Sequence, residues 1–254
     1  MKVDWRKERD LLLVALMFFT RIPMPRWVPF DETRLNGASR YFPLVGLLVG
    51  AVAALVYGVA VNLWSPALAL VLATAATVLL TGAFHEDGFA DVCDGFGGGW
   101  DREQVLSIMK DSRIGTYGTV GLGLLFGAKF FALEALDNAG LVVPALLIGH
   151  AWSRLLATSY LVDLAYVRED ADSRAKPLAT QLGMRQLGIA ALLVAPLLLL
   201  ISLWQLLWIA VVLLIWRWWF GRYIKRRIGG FTGDCLGAAQ QVAEVLIYLV
   251  LAAL

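Results

Sequence analysis

Ligands for soft metals are scarce in this sequence. In 254 residues it carries two cysteines, Cys93 and Cys235, and two histidines, His85 and His150. Neither cysteine has a second cysteine or a histidine at zinc spacing, and two separated histidines do not make a transition-metal site. Both cysteines fall in segments expected to face the cytoplasm, where thiols stay reduced, and both are read as structural. Charge is scarce as well: Asp, Glu, Lys and Arg make up 17% of the chain against 59% hydrophobic residues. The mean hydropathy of +0.71 and ten tryptophans are far from the usage of a soluble domain. A chain of this length has no interior large enough for so much apolar sequence. It reads as an integral membrane protein.

Seven segments are apolar enough to cross a hydrocarbon core, which takes about 20 residues as helix. They lie near 41–63, 66–84, 116–136, 141–162, 187–203, 204–220 and 237–254. The expected fold is therefore all-α, a polytopic bundle of about seven transmembrane helices, with residues 1–254 forming one membrane-embedded domain. The short connections at 64–65, at 137–140 and around Ser202 lack Lys and Arg. The N-terminal arm and the loops at 85–115, 163–186 and 221–236 hold nearly all of them. Lys129 and Arg154 are the exceptions inside spans. This asymmetry is the positive-inside pattern; it puts the arm and the three long loops in the cytoplasm and the C-terminus outside.

The arm, residues 1–40, begins with Lys2, Arg6, Lys7 and Arg9 and an apolar run from Leu11 to Phe19. The run is too short to span, and TRIPMPRWVPF follows it rather than a small-residue cleavage site. An interfacial helix on the cytoplasmic face is expected, with Pro23, Pro25 and Pro29 ending it. The arm is either a basic anchor or a part of the site to which Arg21 and Arg40 contribute.

Charge is concentrated between the second and third spans. HEDGFADVCDGFGGGW, followed by IMKDSRIGTYG, holds Glu86, Asp87, Asp91, Asp94, Asp101 and Asp111. Carboxylates are costly at the mouth of a span, so a cluster of them implies a charge to neutralise. If 85–95 continues the second span's helix, Asp87, Asp91 and Asp94 share one face at spacings i, i+4 and i+7. Hard oxygen ligands without thiolate or imidazole suit Mg²⁺ or Mn²⁺, and Mg²⁺ takes one or two carboxylates while substrate phosphates complete its shell. Four or more acids leave room for two such ions, an arrangement suited to phosphoryl transfer. The interleaved glycines allow close backbone approach to a ligand. Lys110 and Arg113 fit a diphosphate. A second constellation, GGFTGDCLGAAQQVAE at 229–244, places Asp234 before the last span and Gln240 one turn from Glu244. Lys129 and Glu134 are expected as intramembrane partners, and Arg154 is a candidate to face the site.

HEDGFADVCDG, IMKDSRIGTYG and GGFTGDCLGA resemble, in order, the cobalamin synthase (adenosylcobinamide-GDP ribazoletransferase) family. So do FFTRIPMP and the R-x-F-P-x-x-G run at Arg40, Phe42, Pro43 and Gly46. The resemblance covers the whole chain. It implies a Mg²⁺-dependent transferase, late in vitamin B12 assembly, in a bacterial or archaeal cytoplasmic membrane with its site on the cytoplasmic side. Adenosylcobinamide-GDP and α-ribazole, or its 5′-phosphate, would be joined with release of GMP. By motif, Glu86, Asp87, Asp91, Asp94 and Asp234 would be metal ligands, and Asp87, Asp91 and Asp94 the acids nearest the chemistry. Lys110, Arg113, Arg40 and Arg154 would hold phosphate. Further expected partners are the lipid bilayer, a second copy of the chain and other corrinoid-pathway enzymes, with no nucleic acid. Two rival readings are a CDP-alcohol phosphotransferase, whose opening motif D-G-x-x-A is similar, and an ion-coupled transporter. The Asp87–Asp91 spacing and the grouping of the charges at one span end speak against them.

Overall fold

The computed structural model describes residues 4–28, 30–167 and 179–254. Pro29 and the middle of the loop expected at 163–186 lie outside the described residues. The elements are α1 (Trp5–Phe19), α2 (Glu32–Ala38), α3 (Phe42–Ala60), α4 (Pro66–Thr81), α5 (Phe84–Gly98), α6 (Arg102–Ile108), α7 (Thr116–Ala135), α8 (Val142–Ser159), α9 (Met184–Val194), α10 (Leu203–Ile228) and α11 (Gly233–Ala253). Among the described residues there is no strand, only a single bridge between Tyr166 and Phe231. The protein is a helical membrane bundle.

Among the described residues, four helices are long and apolar enough to cross a membrane: Glu32–Ala60, which joins α2 and α3, and then α7, α10 and α11. The sequence suggested seven. Pro66–Thr81 and Phe84–Gly98 qualify only together, and they are bent by 89° at their junction. The span expected at 187–203 is α9 followed by a 3₁₀ segment, Ala195–Leu200. In α8, His150 and Arg154 dilute the apolar content.

The break after α4 is built from two residues in the left-handed region, Gly82 at φ 69° and Ala83 at φ 59°. Glycine accepts that conformation freely and alanine does not, so the hinge carries local strain at Ala83. The acidic stretch is therefore helical, as expected, but does not extend the second span. It turns and packs between α7 and α11. Asp94 meets Gly118 of α7, and Phe89 and Cys93 meet Gly121; Gly88 meets Asp234 of α11, and His85 meets Gly237. Residue numbers rise on one helix as they fall on the other, so α5 runs antiparallel to both neighbours.

Two close crossings fix the bundle. A Cβ on Gly88 would stand 2.9 Å from the Asp234 backbone, and one on Gly50 of α3 would stand 2.6 Å from the Leu146 carbonyl of α8. Gly46 and Gly50, like Gly233 and Gly237, are spaced as small-xxx-small pairs, which let helices approach to backbone contact in membranes. Most of α11 is buried, whereas only 11% of α10's apolar window is. Thus α10 faces lipid with Trp204, Leu207, Leu214 and Trp218, and α11 is free to carry polar groups inward.

The N-terminal helix α1 starts one residue after Asp4, whose carboxylate accepts from the Arg6 and Lys7 amides. It buries Val14 and Ala15 against the bundle. The basic segments meet at one end of the molecule. Arg102 donates to the Ile228 carbonyl at 2.9 Å, and Arg227 donates to that of Gly99 at 2.8 Å. The Val167 amide donates to the Phe231 carbonyl at 3.1 Å. The Thr180 amide donates to the Asn36 side chain at 2.7 Å. This convergence predicts one sidedness for all four: a topology reporter inserted at Arg102 reads cytoplasmic and one fused at Leu254 reads outside. A cytoplasmic Leu254 would contradict it.

Candidate active site: an acidic cleft along α5

A cleft of about 240 Å³ opens where α4 gives way to α5, opposite α7. Its polar lining is Glu86, Asp87, Asp91 and Ser112; the rest of the wall is apolar and includes Ala83, Ile114, Leu122 and Phe126. Glu86 and Ala90 are one turn apart, as are Asp87 and Asp91; of the face read from the sequence, Asp87 and Asp91 line this cleft and Asp94 does not. The acids also descend. Asp94 lies beside the first turn of α7, whereas Glu86 lies beside Gln241, eight residues into α11 and about 12 Å along it at 1.5 Å per residue. The carboxylates were expected at the mouth of the bundle. They form a ladder into it because the hinge at Gly82 and Ala83 re-inserts α5.

Asp94 serves a structural end. Its two oxygens accept from the Gly115 amide at 2.7 Å and the Gly118 amide at 2.9 Å. Gly115 is the N-cap of α7 and has no side chain to offer, so Asp94 supplies the missing acceptor and a negative charge at the positive helix end. Asp234 lies close by through Gly88, with the Thr232 hydroxyl 3.3 Å from its carboxylate, but it is not in the wall of the cleft.

The expected phosphate cations divide. Ser112 is in the cleft wall, and Lys110 and Arg113 flank it. Arg113 is fully exposed and grips Asp111 with Nε and Nη2, at 3.1 and 2.8 Å to separate carboxylate oxygens. That fork holds the Asp111 carboxyl down at about 2. Any phosphate must compete with Asp111 for this arginine. Arg40 is turned away: it donates to Glu8 of α1 at 2.5 Å, and the Tyr41 hydroxyl donates to the same oxygen at 2.5 Å. Arg21 lies over Gly82, at the hinge. Arg154 is buried on α8 and donates to the His150 carbonyl at 2.9 Å. Its surroundings are a small cavity lined by Phe18, Phe19, Phe42, Phe84 and His85 rather than the acidic cleft. A basic anchor was the simpler reading of the arm; in the structure Arg40 bonds to α1 and Arg21 lies at the hinge.

Among the described residues no three carboxylate, imidazole or thiol groups converge as a ready-made metal cage. The cleft nonetheless fits a hard cation that brings phosphate oxygens with it, since such an ion needs only one or two carboxylates. The specific observation is at Glu86. This side chain is 7% exposed, one oxygen accepts from Gln241 at 3.0 Å, and Oε2 is buried without a hydrogen-bond partner.

Beyond Glu86 lies a buried polar cluster whose membership the sequence only hinted at. Lys129 pairs with Glu244 at 2.9 Å, not with Glu134 on its own helix. Glu244 also takes Gln240 at 2.7 Å, Tyr248 at 3.1 Å and His150 Nδ1 at 3.1 Å. The signal available was the run of Gln240, Gln241 and Glu244 inside an otherwise apolar span, which calls for polar partners on neighbouring helices. Cys93 packs under Gly121, and Cys235 is buried at the start of α11; neither is in a disulfide.

The profile of the cobalamin-5-phosphate synthase family matches residues 11–252. The chain belongs to that family. It is 49% identical over 254 residues to the adenosylcobinamide-GDP ribazoletransferase of Shewanella piezotolerans, covering 98% of this chain and 96% of the relative. It is 46% identical over 249 residues to that of Vibrio cholerae, covering 98% and 95%. No solved structure matches. With membership in this family, the CDP-alcohol phosphotransferase and transporter readings lapse.

The Asp94 geometry gives a direct test. Asp94→Asn keeps the shape and one acceptor but loses the charge-assisted pair to Gly115 and Gly118, so detergent-purified protein should lose roughly 1–2 kcal/mol of stability. A thermal-melting comparison reads it, with Asp87→Asn as the internal reference, because Asp87 caps nothing. Equal melting of the two variants would remove Asp94 from its capping role.

Proposed function

We propose that the chain joins adenosylcobinamide-GDP to α-ribazole or its 5′-phosphate, releasing GMP and forming adenosylcobalamin or its phosphate. The observation that carries this reading is the meeting of Glu86, Asp87 and Asp91, all from one motif, in the wall of a single cleft in a chain 49% identical to a named ribazoletransferase. Ser112 of the cleft wall belongs to one of the four basic segments, which supports a reaction on the cytoplasmic side of a bacterial inner membrane. Soluble substrates carrying a nucleotide are delivered there.

The reaction exchanges a phosphoanhydride bond for a phosphate ester bond. A ribose hydroxyl oxygen bonds to the cobinamide-linked phosphorus, the bond from that phosphorus to the GMP oxygen breaks, and the hydroxyl proton is lost. What the protein contributes is placement and electrostatics. Asp87 and Asp91, one turn apart, and the free oxygen of Glu86 are the groups that would hold one or two Mg²⁺ ions, with Mn²⁺ as a substitute. The chemistry Mg²⁺ supplies when bound is neutralisation of the diphosphate and of the departing phosphate. Ser112 lies where it can donate to a phosphate oxygen, and Arg113 and Lys110 are its near neighbours in sequence. Arg113 offers a fork that matches phosphate once Asp111 releases it. The apolar part of the wall, Ile114, Leu122 and Phe126, keeps water from competing for the phosphorus. Asp94 contributes by fixing the start of α7 against α5.

The test is GMP release by purified protein in detergent or liposomes, given both substrates and Mg²⁺. Asp87→Asn and Asp91→Asn should each lower turnover by roughly a hundredfold or more, the scale of losing one electrostatic contact to a developing charge, with normal membrane expression. A chelator should abolish activity. Full activity without divalent metal would overturn the metal assignment while leaving the transfer reaction in place.

A further inference from the structure

Glu86 is held from behind by a chain of side chains on three other elements, and we propose that Lys129 and Gln241 are positioning residues that aim one oxygen of Glu86 into the cleft. The inference rests on the reading of the cleft given above and adds residues that lie outside it.

The chain is fully specified by donor and acceptor chemistry. Lys129 Nζ donates to Gln241 Oε1 at 3.0 Å. Gln241 Nε2 donates to Glu86 Oε1 at 3.0 Å and to Gln240 Oε1 at 3.0 Å. An ammonium has donors only, so the Gln241 carbonyl must face Lys129 and its NH₂ must face the other way. A carboxylate has acceptors only when ionised, so Glu86 can receive the NH₂ and would repel the carbonyl. The orientation of this amide is thus set at both ends by charge, and it is not the free choice that an amide usually presents. Reversing it would put two oxygens against each other in a buried site.

Lys129 is in turn fixed by Glu244, which accepts from it at 2.9 Å. Glu244 is surrounded by Gln240, Tyr248 and His150, so the anion has no freedom to move toward Glu86. Lys129, Gln241 and Glu244 are at most 4% exposed. In such a dry place a satisfied network is rigid, and a broken one is expensive. The outcome at Glu86 is asymmetric. Oε1 is occupied by Gln241, and Oε2, buried and unpartnered, is the oxygen left for the cleft. Without the amide the carboxylate is free to rotate and presents no fixed ligand atom. Rigid support behind a ligand residue is how metal sites commonly reach affinity, and its removal typically costs ten- to a hundredfold.

The test uses full-length protein in detergent, with Mn²⁺ as a paramagnetic probe and GDP present to supply phosphate oxygens. Free Mn²⁺ is read by its solution EPR signal, so binding is measured without turnover. Gln241→Met removes the bridge, keeps the length and leaves the Lys129–Glu244 pair intact. It should weaken Mn²⁺ binding tenfold or more and lower kcat, with KM for the ribazole substrate within about twofold of the parent. Lys129→Arg, another donor-only cation, should keep Mn²⁺ affinity within about threefold. If Gln241→Met does not fold, the charge-balanced pair Lys129→Met with Glu244→Gln removes the same orienting charge and is read the same way. A folded variant of either kind that binds Mn²⁺ and turns over like the parent overturns the proposal. A parent protein that binds no Mn²⁺ overturns the metal reading of the cleft and this inference with it, whereas a weakened variant beside a competent parent supports both.

Discussion

Two carboxylates, Glu86 and Glu244, sit among membrane-spanning helices, where a charge without partners is costly. The rest of the architecture follows from that cost. Glu244 is answered by Lys129 at 2.9 Å and by donors from Gln240, Tyr248 and His150. These partners come from α7, α8 and α11, so the ion pair also decides which helices surround the site. The polar cluster is not scaffolding for stability alone. An apolar cluster of similar volume would often be as stable, and what this polar one adds is a hydrogen bond to Glu86.

Geometry then turns one charged group into a ladder. The hinge at Gly82 and Ala83 ends α4 and sends α5 back between α7 and α11. Close crossings at Gly88 and Gly237 bring the backbones near enough for Gln241 to reach Glu86. Asp94, at the other end of α5, caps α7 and locks the ladder's mouth. Asp87 and Asp91 lie between these two anchored residues. The helix that carries them is thus held at both ends, and both aspartates line the cleft.

Much of this was legible in the sequence, for physical reasons that can be named. Apolar runs and the sparse placement of Lys and Arg declared a membrane bundle, because backbone polar groups in lipid require helices. The i, i+4 spacing of Asp87 and Asp91 declared a common face. The hinge was not legible: glycine at position 82 permits a left-handed turn, but nothing in an alanine at 83 announces one. The partner of Lys129 was not legible either, since Glu134 is near in sequence while Glu244 is reached only through the packing of α7 on α11. Asp94 looked like a third ligand because its spacing fits the stripe. Its real partners, two glycine amides more than twenty residues onward, could have been suspected from a span beginning at Gly115 with no capping side chain. The seven expected spans reflect hydropathy alone; the polar residues of α8 and the break after α4 lower the number that qualifies by length and apolarity.

The family assignment and the cleft converge on phosphate chemistry at Asp87, Asp91 and Glu86. The most direct measurement is ³¹P electron–nuclear double resonance on Mn²⁺ bound to the protein together with a non-hydrolysable analogue of the GDP-activated corrinoid. A ³¹P coupling should be present in the parent protein and lost when Asp87 and Asp91 are both changed to Asn. Bound Mn²⁺ without phosphorus coupling, or a coupling that survives the double substitution, would contradict a metal–phosphate site on α5.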